Sequence, residues 1–542
     1  MDSTRKNELK KDELKNGLLG YNFFPRVSKY QDEFPPCFVS KCLCDDHYHA
    51  YGELLQQVKA GLSKSRKKNG FGVIHANSMR SDYSPRLTEI PHPIAYCNLC
   101  DKLIDNYDNW KAIEHNSKSA IRVGKFNKED KRIFVMRPRE VQQVPVDARY
   151  LVKTDIAKFY DSIYSHAFAW AIMGTKNAKE KRDIDSWANE IDAALRLARR
   201  NETNGISIGP GTSSICGEII LEAIDESDEM KQYKYLHFID DYRFYAASEE
   251  QAEKFILDLT VALSKFKLTI NQRKTQIIAL PEVETDEWLR KISEANSIGL
   301  SQKTISNFLD LSLQIQKAYP ESSALRTALL EIERKWSELE DVSRTKILQR
   351  LFNIAFFYPA AVKSLCRLLL GNKNLNKGKD KKDGVSDHLN ELYKLIERHS
   401  KLAHSDAVTW LLYAILHEGE KLSDSAVKAI IKSKDSLSLA LLTETVDDQY
   451  EGKLVDFIDK FDNENTEEYT RDEYWLLYYQ LISRGSLTSR LTKADGIKKY
   501  TEELDKLIQD KCKFIDVSVD FQSINSNSVS LSSVIHKSPY DD

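Results

Sequence analysis

Three acidic residues stand where apolar stretches run out. Tyr150-Leu151-Val152-Lys153-Thr154 leads into Asp155 and on to the aromatic pair Phe159-Tyr160, and Tyr235-Leu236-His237-Phe238-Ile239 leads into the adjacent acids Asp240-Asp241. A hairpin tip tolerates Asp-Asp as an ordinary turn, so the pair alone says little. With Asp155 the set means more. Three carboxylates brought together repel and raise one another's pKa unless divalent cations sit among them. Two Mg2+ ions, roughly 3.5–4 Å apart, would there activate an attacking hydroxyl and stabilise a leaving pyrophosphate in an in-line displacement.

Between Tyr150 and Ala279 strands and helices alternate: an apolar strand into Asp155, helical stretches, a glycine-rich turn from Gly205 to Gly211, a helix through Ile224 and a hairpin from Tyr235 to Ala247. This pattern predicts an α+β sheet domain with acids at strand ends. Upstream, from about Asn22 to Arg149, short apolar runs mixed with Pro, His and aromatic residues predict an irregular, loop-rich α+β lobe. Within it, Ser119 to Gly124 and Arg132 to Arg137 predict two strands joined by a polar turn, a basic hairpin carrying Arg122, Lys125, Lys128, Lys131, Arg132 and Arg137. Beyond about residue 296, long amphipathic segments rich in Leu, Lys, Glu and Ala predict helices. Their similar lengths and short connectors suggest stacked helix pairs. A Lys-rich loop from Gly371 to Gly384 interrupts them, and a Ser- and Asn-rich tail follows Val517.

A chain of 542 residues exceeds what one core supports, so at least two domains are expected. The formal net charge of −3 excludes a global electrostatic pull toward nucleic acid and leaves such contact to local patches. Eight thinly spread cysteines, behind a charged N-terminal segment rather than an apolar leader, favour free thiols in a reducing cytoplasm. No apolar run approaches the roughly 18 residues of a membrane span, so no membrane partner is expected. Cys42, Cys44, His47, His49, Cys97 and Cys100 could supply zinc ligands, but the first group lacks Cys-x-x-Cys. Cys97 and Cys100 fall in an apolar helical pattern where buried free cysteine is common, and the free-thiol reading is preferred.

Asp155 in its strand, the glycine-rich Gly205-Ile206-Ser207-Ile208-Gly209-Pro210-Gly211, the box Phe238-Ile239-Asp240-Asp241 and Leu268-Thr269-Ile270-Asn271-Gln272-Arg273-Lys274-Thr275 follow the order and spacing of reverse-transcriptase motifs A, B, C and D. The sequence resembles that family over about residues 22 to 280. The Ile90-Pro91-His92-Pro93 segment and the helical C-terminal half further resemble the bacterial abortive-infection and defence-associated reverse transcriptases, the AbiK-like group, in which a helical-repeat domain replaces the thumb. The resemblance implies an N-terminal segment and fingers over residues 1–149 and a palm over 150–295. It further implies an all-α, HEAT-like helical-repeat domain over 296–516 and a polar, flexible tail over 517–542. It implies that Asp155, Asp240 and Asp241 bind two Mg2+ ions, or Mn2+, with the Ile156 carbonyl as an added ligand. Tyr160 matches the steric gate that excludes a ribose 2′-OH and so selects dNTPs. Lys125 and Arg132 match basic fingers positions that clamp the triphosphate. Ile208 and Gly209 match nucleotide-site positions of motif B, and Lys274 matches the lysine that protonates the departing pyrophosphate. Taken singly, Tyr160 reads as a core aromatic, Lys125 and Arg132 as solvated surface residues and Lys274 as an exposed helix-end lysine.

Two departures bear on the activity. Motif B usually reads Pro-Gln-Gly, and Ser207-Ile208-Gly209 lacks the Gln that helps hold nucleotide and template. Phe238 stands where Tyr is usual, which keeps the ring and loses only the hydroxyl. Nothing downstream reads as an RNase H or integrase site, which argues against a retroviral life cycle. The AbiK-like resemblance implies an antiphage polymerase of the bacterial cytoplasm, a homo-oligomer that makes single-stranded DNA without a conventional template. Its product would be primed by a protein hydroxyl and stay attached. Among 25 tyrosines, Tyr30, Tyr48, Tyr51 and Tyr540 lie in loop-like or terminal segments and are the priming candidates. Templated cDNA synthesis on a dedicated non-coding RNA, and an inert helical scaffold binding a phage or host protein, are the alternatives.

Overall fold

The computed structural model describes residues 3–25, 33–44, 48–79, 85–123, 134–136, 144–180, 186–281, 287–295, 301–320, 322–375, 384–445, 450–465, 467–485 and 495–521. The chain opens with the helix Ser3–Tyr21, which buries Leu14, Leu18 and Leu19. It packs on the helix Pro93–Asp105, whose Tyr96 hydroxyl donates to the Leu18 carbonyl (2.8 Å). Pro93 opens that second helix at a position where its missing N–H costs nothing. With the helix His49–Gly61 between them, the lobe before residue 150 is more helical than its Pro- and His-rich sequence predicts.

Two antiparallel pairs belong to this lobe: β1 (Val73–Met79) with β2 (Pro85–Pro91), and β3 (Ile121–Val123) with β4 (Phe134–Met136). The second pair is the expected basic hairpin. Its turn, with Lys125, Lys128, Lys131 and Arg132, lies outside the described residues, as does Arg137.

The central sheet is antiparallel in the order β6-β7-β5-β8, built from β5 (Tyr150–Asp155), β6 (Tyr235–Phe238), β7 (Asp241–Ala246) and β8 (Gln276–Ala279). Along β7 the side chains alternate, as a half-covered strand requires. Tyr242, Phe244 and Ala246 are buried, with Phe244 stacked on Phe255 of the helix Glu249–Lys265 at 4.4 Å. Asp241, Arg243 and Tyr245 take the other face.

After residue 280 the described regular elements are all helical, among them Gln302–Ala318, Asp341–Phe357, Ala360–Leu375, Leu389–Lys401, Ser405–His417, Trp475–Ser483 and Asp495–Gln509. The helix Ala360–Leu375 runs into the Lys-rich stretch expected as a loop, and residues 376–383 lie outside the described set. Buried apolar residues form one cluster from Leu14 to Ile515, with a smaller one around Trp288, Ile292 and Phe308.

The helical half is tied to the N-terminal lobe by polar contacts. The Asn77 and Met79 N–H groups of β1 donate to Ser405 Oγ (3.0 Å) and Asp406 Oδ2 (2.9 Å) at the start of the helix Ser405–His417. Buried Arg66 donates to Asp472 (2.6 and 3.0 Å) and Glu503 (2.8 Å). Val39 donates to the Phe514 carbonyl (3.0 Å) and Asp516 to that of Cys37 (2.8 Å). The first residues of the expected polar tail pack back on the helical half. Tyr413 donates to the Val519 carbonyl (2.6 Å) and His417 Nδ1 lies 2.7 Å from that of Val517, so these backbone groups are held by side chains of the helix Ser405–His417. Residues 522–542 lie outside the described set. No helix among the described residues is long and apolar enough to cross a membrane.

Candidate active site

Strand register places Asp155, the last residue of β5, directly opposite Asp241, the first residue of β7. Directly opposed residues share a face of the sheet. Asp240 forms the two-residue turn of the β6–β7 hairpin together with Ile239, and its carbonyl accepts the Ile156 N–H (3.0 Å). The end of β5 and the hairpin tip are thus joined through backbone. Lys274 reaches the same place from the segment between the Glu249–Lys265 helix and β8, its Nζ 2.7 Å from Asp155 Oδ2.

Asp155 is only 5% exposed, and its Oδ1, like Asp241 Oδ2, is buried with no hydrogen-bond partner among the described residues. Such atoms are costly unless a cation or donor satisfies them. Burial pushes the Asp241 carboxyl up to about 8, with Asp240 and Asp155 adding to the push. The Asp240 carboxyl is also raised, again chiefly by burial. Among the described residues no group of three or more His, Cys, Asp or Glu side chains converges closely enough to hold a metal ion as it stands. The acids form an open set of hard oxygen donors with unfilled buried acceptors, a donor chemistry that suits Mg2+ or Mn2+ better than a soft metal.

Tyr160 lies in the short helix Phe159–Ser162, entered through Lys158 in the left-handed region (φ 47°). Its ring and that of Phe159 press on Gly217 of the helix Gly211–Asp225, where a Cβ would stand 3.4 Å and 3.0 Å from them. Burial pushes the Tyr160 phenol up, keeping it neutral. The glycine-rich turn ahead of that helix is sewn to the N-terminal lobe. The Ile208 carbonyl accepts the Glu89 N–H of β2 (2.8 Å), and the Gly211 N–H donates to the Asn22 carbonyl (2.8 Å). Gly209 has φ 126°, and a Cβ there would sit 2.6 Å from the Pro25 ring.

The link through Glu89 carries β2 toward the acids and brings in Arg86, a residue the sequence did not single out. Its guanidinium draws the Asp240 carboxyl and the Tyr160 phenol downward, against burial, while Nη1 stands 3.5 Å from Glu33 Oε1. Its one sequence signal is an arginine on the strand that leads into Ile90-Pro91-His92-Pro93.

Lys125, Arg132, Tyr30 and Tyr540 lie outside the described residues. Tyr48 caps the start of the helix His49–Gly61 with φ 63°, and it donates to Asn16 Oδ1 (2.7 Å). Tyr51 is not in a loop. It lies inside that helix, 5% exposed, and donates to Asp101 Oδ1 (2.9 Å). His49 and Gly52 make the segment look irregular, but Ala50, Tyr51, Leu54 and Leu55 form a buried face at helical spacing. Cys97 and Cys100 are buried in the helix Pro93–Asp105, and burial raises both thiols.

Residues 101–312 match the family model for reverse transcriptase (RNA-dependent DNA polymerase), a span that takes in β3 to β8 with Asp155, Tyr160, Asp240, Asp241 and Lys274. The chain carries a reverse transcriptase domain. It is accordingly a nucleotidyltransferase of the RNA-directed DNA polymerase kind, and reverse transcriptase domains act on nucleotides and nucleic acid with divalent cations such as Mg2+. Arg86 and the β1–β2 pair precede the matched span, and most of the helical half follows it. No curated protein is a significant match to the chain.

Proposed function

We propose that this reverse transcriptase domain synthesises DNA at Asp155, Asp240 and Asp241, and that these acids, with the Ile156 carbonyl, hold two Mg2+ or Mn2+ ions. The register pairing of Asp155 with Asp241, which leaves buried carboxylate oxygens unsatisfied, carries this reading. Bound there, the cations would activate the attacking hydroxyl and offset charge on the leaving pyrophosphate. The chain's own groups do the rest. Tyr160 blocks a ribose 2′-OH and selects dNTPs, next to Ile208 and Gly209. Arg86, with Lys125 and Arg132, neutralises the triphosphate. Lys274, set between Asp155 and solvent, delivers a proton to pyrophosphate.

On this reading residues 1–149 are N-terminal segment and fingers and 150–295 are palm. Residues 296–516 are HEAT-like helix pairs in place of a thumb, and 517–542 a tail. The missing motif B Gln and the helical half support untemplated, protein-primed synthesis by a homo-oligomeric antiphage protein of the bacterial cytoplasm, in the manner of the AbiK-like group. Tyr30, Tyr48 and Tyr540 remain the priming candidates. Tyr51 is a poor one, since burial and Asp101 both oppose deprotonation of its phenol. A second reading, cDNA synthesis on a dedicated non-coding RNA, is favoured by the match to RNA-dependent polymerases.

Purified protein incubated with Mg2+ and labelled dNTPs should gain protein-linked label that nuclease removes and Asp241→Asn abolishes. Product that instead follows the sequence of a copurifying RNA would favour the second reading. Absence of incorporation under both conditions would rule out DNA synthesis by this site.

A further inference from the structure

The turn that presents Asp240 and Asp241 is conformationally expensive. Ile239 sits in the left-handed region (φ 52°), which a β-branched residue adopts only when its surroundings enforce it. Beyond the strand pairing of the hairpin itself, two contacts among the described residues hold the turn. The Ile156 N–H takes the Asp240 carbonyl at 3.0 Å, and from beneath, His237 Nδ1 faces the Ile239 carbonyl at 3.1 Å. We infer that His237 is a positioning residue of the active site, donating from Nδ1 to the Ile239 carbonyl and so fixing the strained turn that aims Asp240 and Asp241.

The partners of the ring argue for this role. His237 Nε2 lies 2.9 Å from Asp225 Oδ2, with both side chains fully buried. A backbone carbonyl and a carboxylate are both acceptors, so the ring can satisfy both only by donating from both nitrogens, as an imidazolium. The carboxylate that makes this tolerable is itself held. Asn116 Nδ2 donates to Asp225 Oδ2 (2.6 Å), and the Tyr235 hydroxyl donates to Oδ1. The imidazole lies flat on Tyr242, rings 5.2 Å apart and 25° from parallel. The strand that bears it is fixed from outside, since His237 donates to the Lys118 carbonyl (2.8 Å) and accepts from Ala120 (2.7 Å). Burial alone would strip the proton from His237, and the Asp225 carboxylate instead raises it to about 9 while Asp225 is itself lowered. A buried ion pair of this kind would be a poor choice for stability alone, because well-packed apolar residues serve as well. Its placement under the turn gives it a use.

The inference rests on the reading that Asp240 and Asp241 take divalent cations, and one series of variants separates the two. Asn at 237 can keep a donor where Nδ1 stands, and Gln one where Nε2 stands. Mn2+ binding to the full chain, followed by electron paramagnetic resonance, is compared for native protein, Asp241→Asn, His237→Asn and His237→Gln, with DNA synthesis and melting temperature measured alongside. His237→Gln should weaken Mn2+ binding roughly 10–100-fold, the usual cost of losing a group that orients a ligand. It should lower kcat more than it raises the dNTP KM. His237→Asn should keep Mn2+ affinity near native even though it loses more thermal stability. Native-like binding by His237→Gln beside a defective Asp241→Asn overturns the role of His237 alone. So does an equal loss in both His237 variants. Equal binding by native protein and Asp241→Asn overturns the cation reading and the inference with it. Should His237→Gln not fold, it is made with Ile239→Gly, which relieves the turn. Recovery of fold and Mn2+ binding supports the clamp, and failure to recover assigns His237 to the core and overturns it.

Discussion

Burial pushes the Asp241 carboxyl from its ordinary 3.8 up to about 8, and two neighbouring acids push the same way. A carboxyl raised on folding makes the folded chain bind a proton that the unfolded chain has released, and stability falls with rising pH wherever that holds. For Asp241 the window runs from about 4 to about 8. Cation-free protein should therefore lose stability as pH rises through that window, and Asp241→Asn should flatten the trend, as seen by denaturant titration in chelator. A cation must displace the same proton, so Mn2+ affinity should climb with pH and level off above about 8. A pH-independent affinity would mean that the acid is already ionised without a metal. This load was partly legible from sequence, because three acids at the ends of apolar runs are hard to explain otherwise. Arg86 was not. Its influence on Asp240 comes from the tertiary placement of β2, whose Glu89 N–H donates to the Ile208 carbonyl, and no local pattern encodes that placement.

The glycine-rich turn before the helix Gly211–Asp225 shows how an element can be recognised while its function in the fold is missed. Spacing marks it as a turn, but its contact with Pro25 and Asn22, nearly two hundred residues earlier, comes from tertiary packing alone. At Gly209 no L-residue fits easily, both because φ is 126° and because Pro25 fills the space. Gly209→Ala should cost about 1–3 kcal/mol of stability. By shifting the turn it should also cut nucleotide incorporation on the order of 100-fold. Wild-type incorporation in that variant would show that the turn does not border the nucleotide. Where the apolar signal was strong, as in the alternation of β7 or the near-continuous apolar run of the helix Ser405–His417, elements fell where the pattern put them. Where polar and small residues diluted it, as in Ser3–Tyr21 and His49–Gly61, helices were missed because only one narrow face is apolar.

Across the whole molecule, Arg66 joins the N-terminal lobe to the helical half through Asp472 and Glu503. The first two side chains are fully buried, and Asp472 also accepts the Gly72 N–H (2.7 Å). In the sequence Arg66 is one of a basic run, Lys64 to Lys68, that reads as a solvated or phosphate-binding patch, whereas its guanidinium is committed inside the protein. Arg66→Met strands a buried carboxylate and should destabilise the chain by about 3–5 kcal/mol, and Arg66→Met with Asp472→Leu should recover most of that loss. Calorimetric melting of the two variants tests this, and equal melting temperatures would show that the pair adds nothing beyond its separate parts.

The bridge between Phe38 and Ile515 has a consequence for when the protein exists at all. A ribosome finishes the segment around Val39 long before it makes the residues 514–516 that pair with it, so that edge of the N-terminal lobe waits for more than four hundred and seventy further residues before these backbone groups are paired. Long-range closures of this kind form slowly and late. A chain stalled in the helical half would leave the Val39 N–H and the Cys37 carbonyl without the partners that residues 514 and 516 supply.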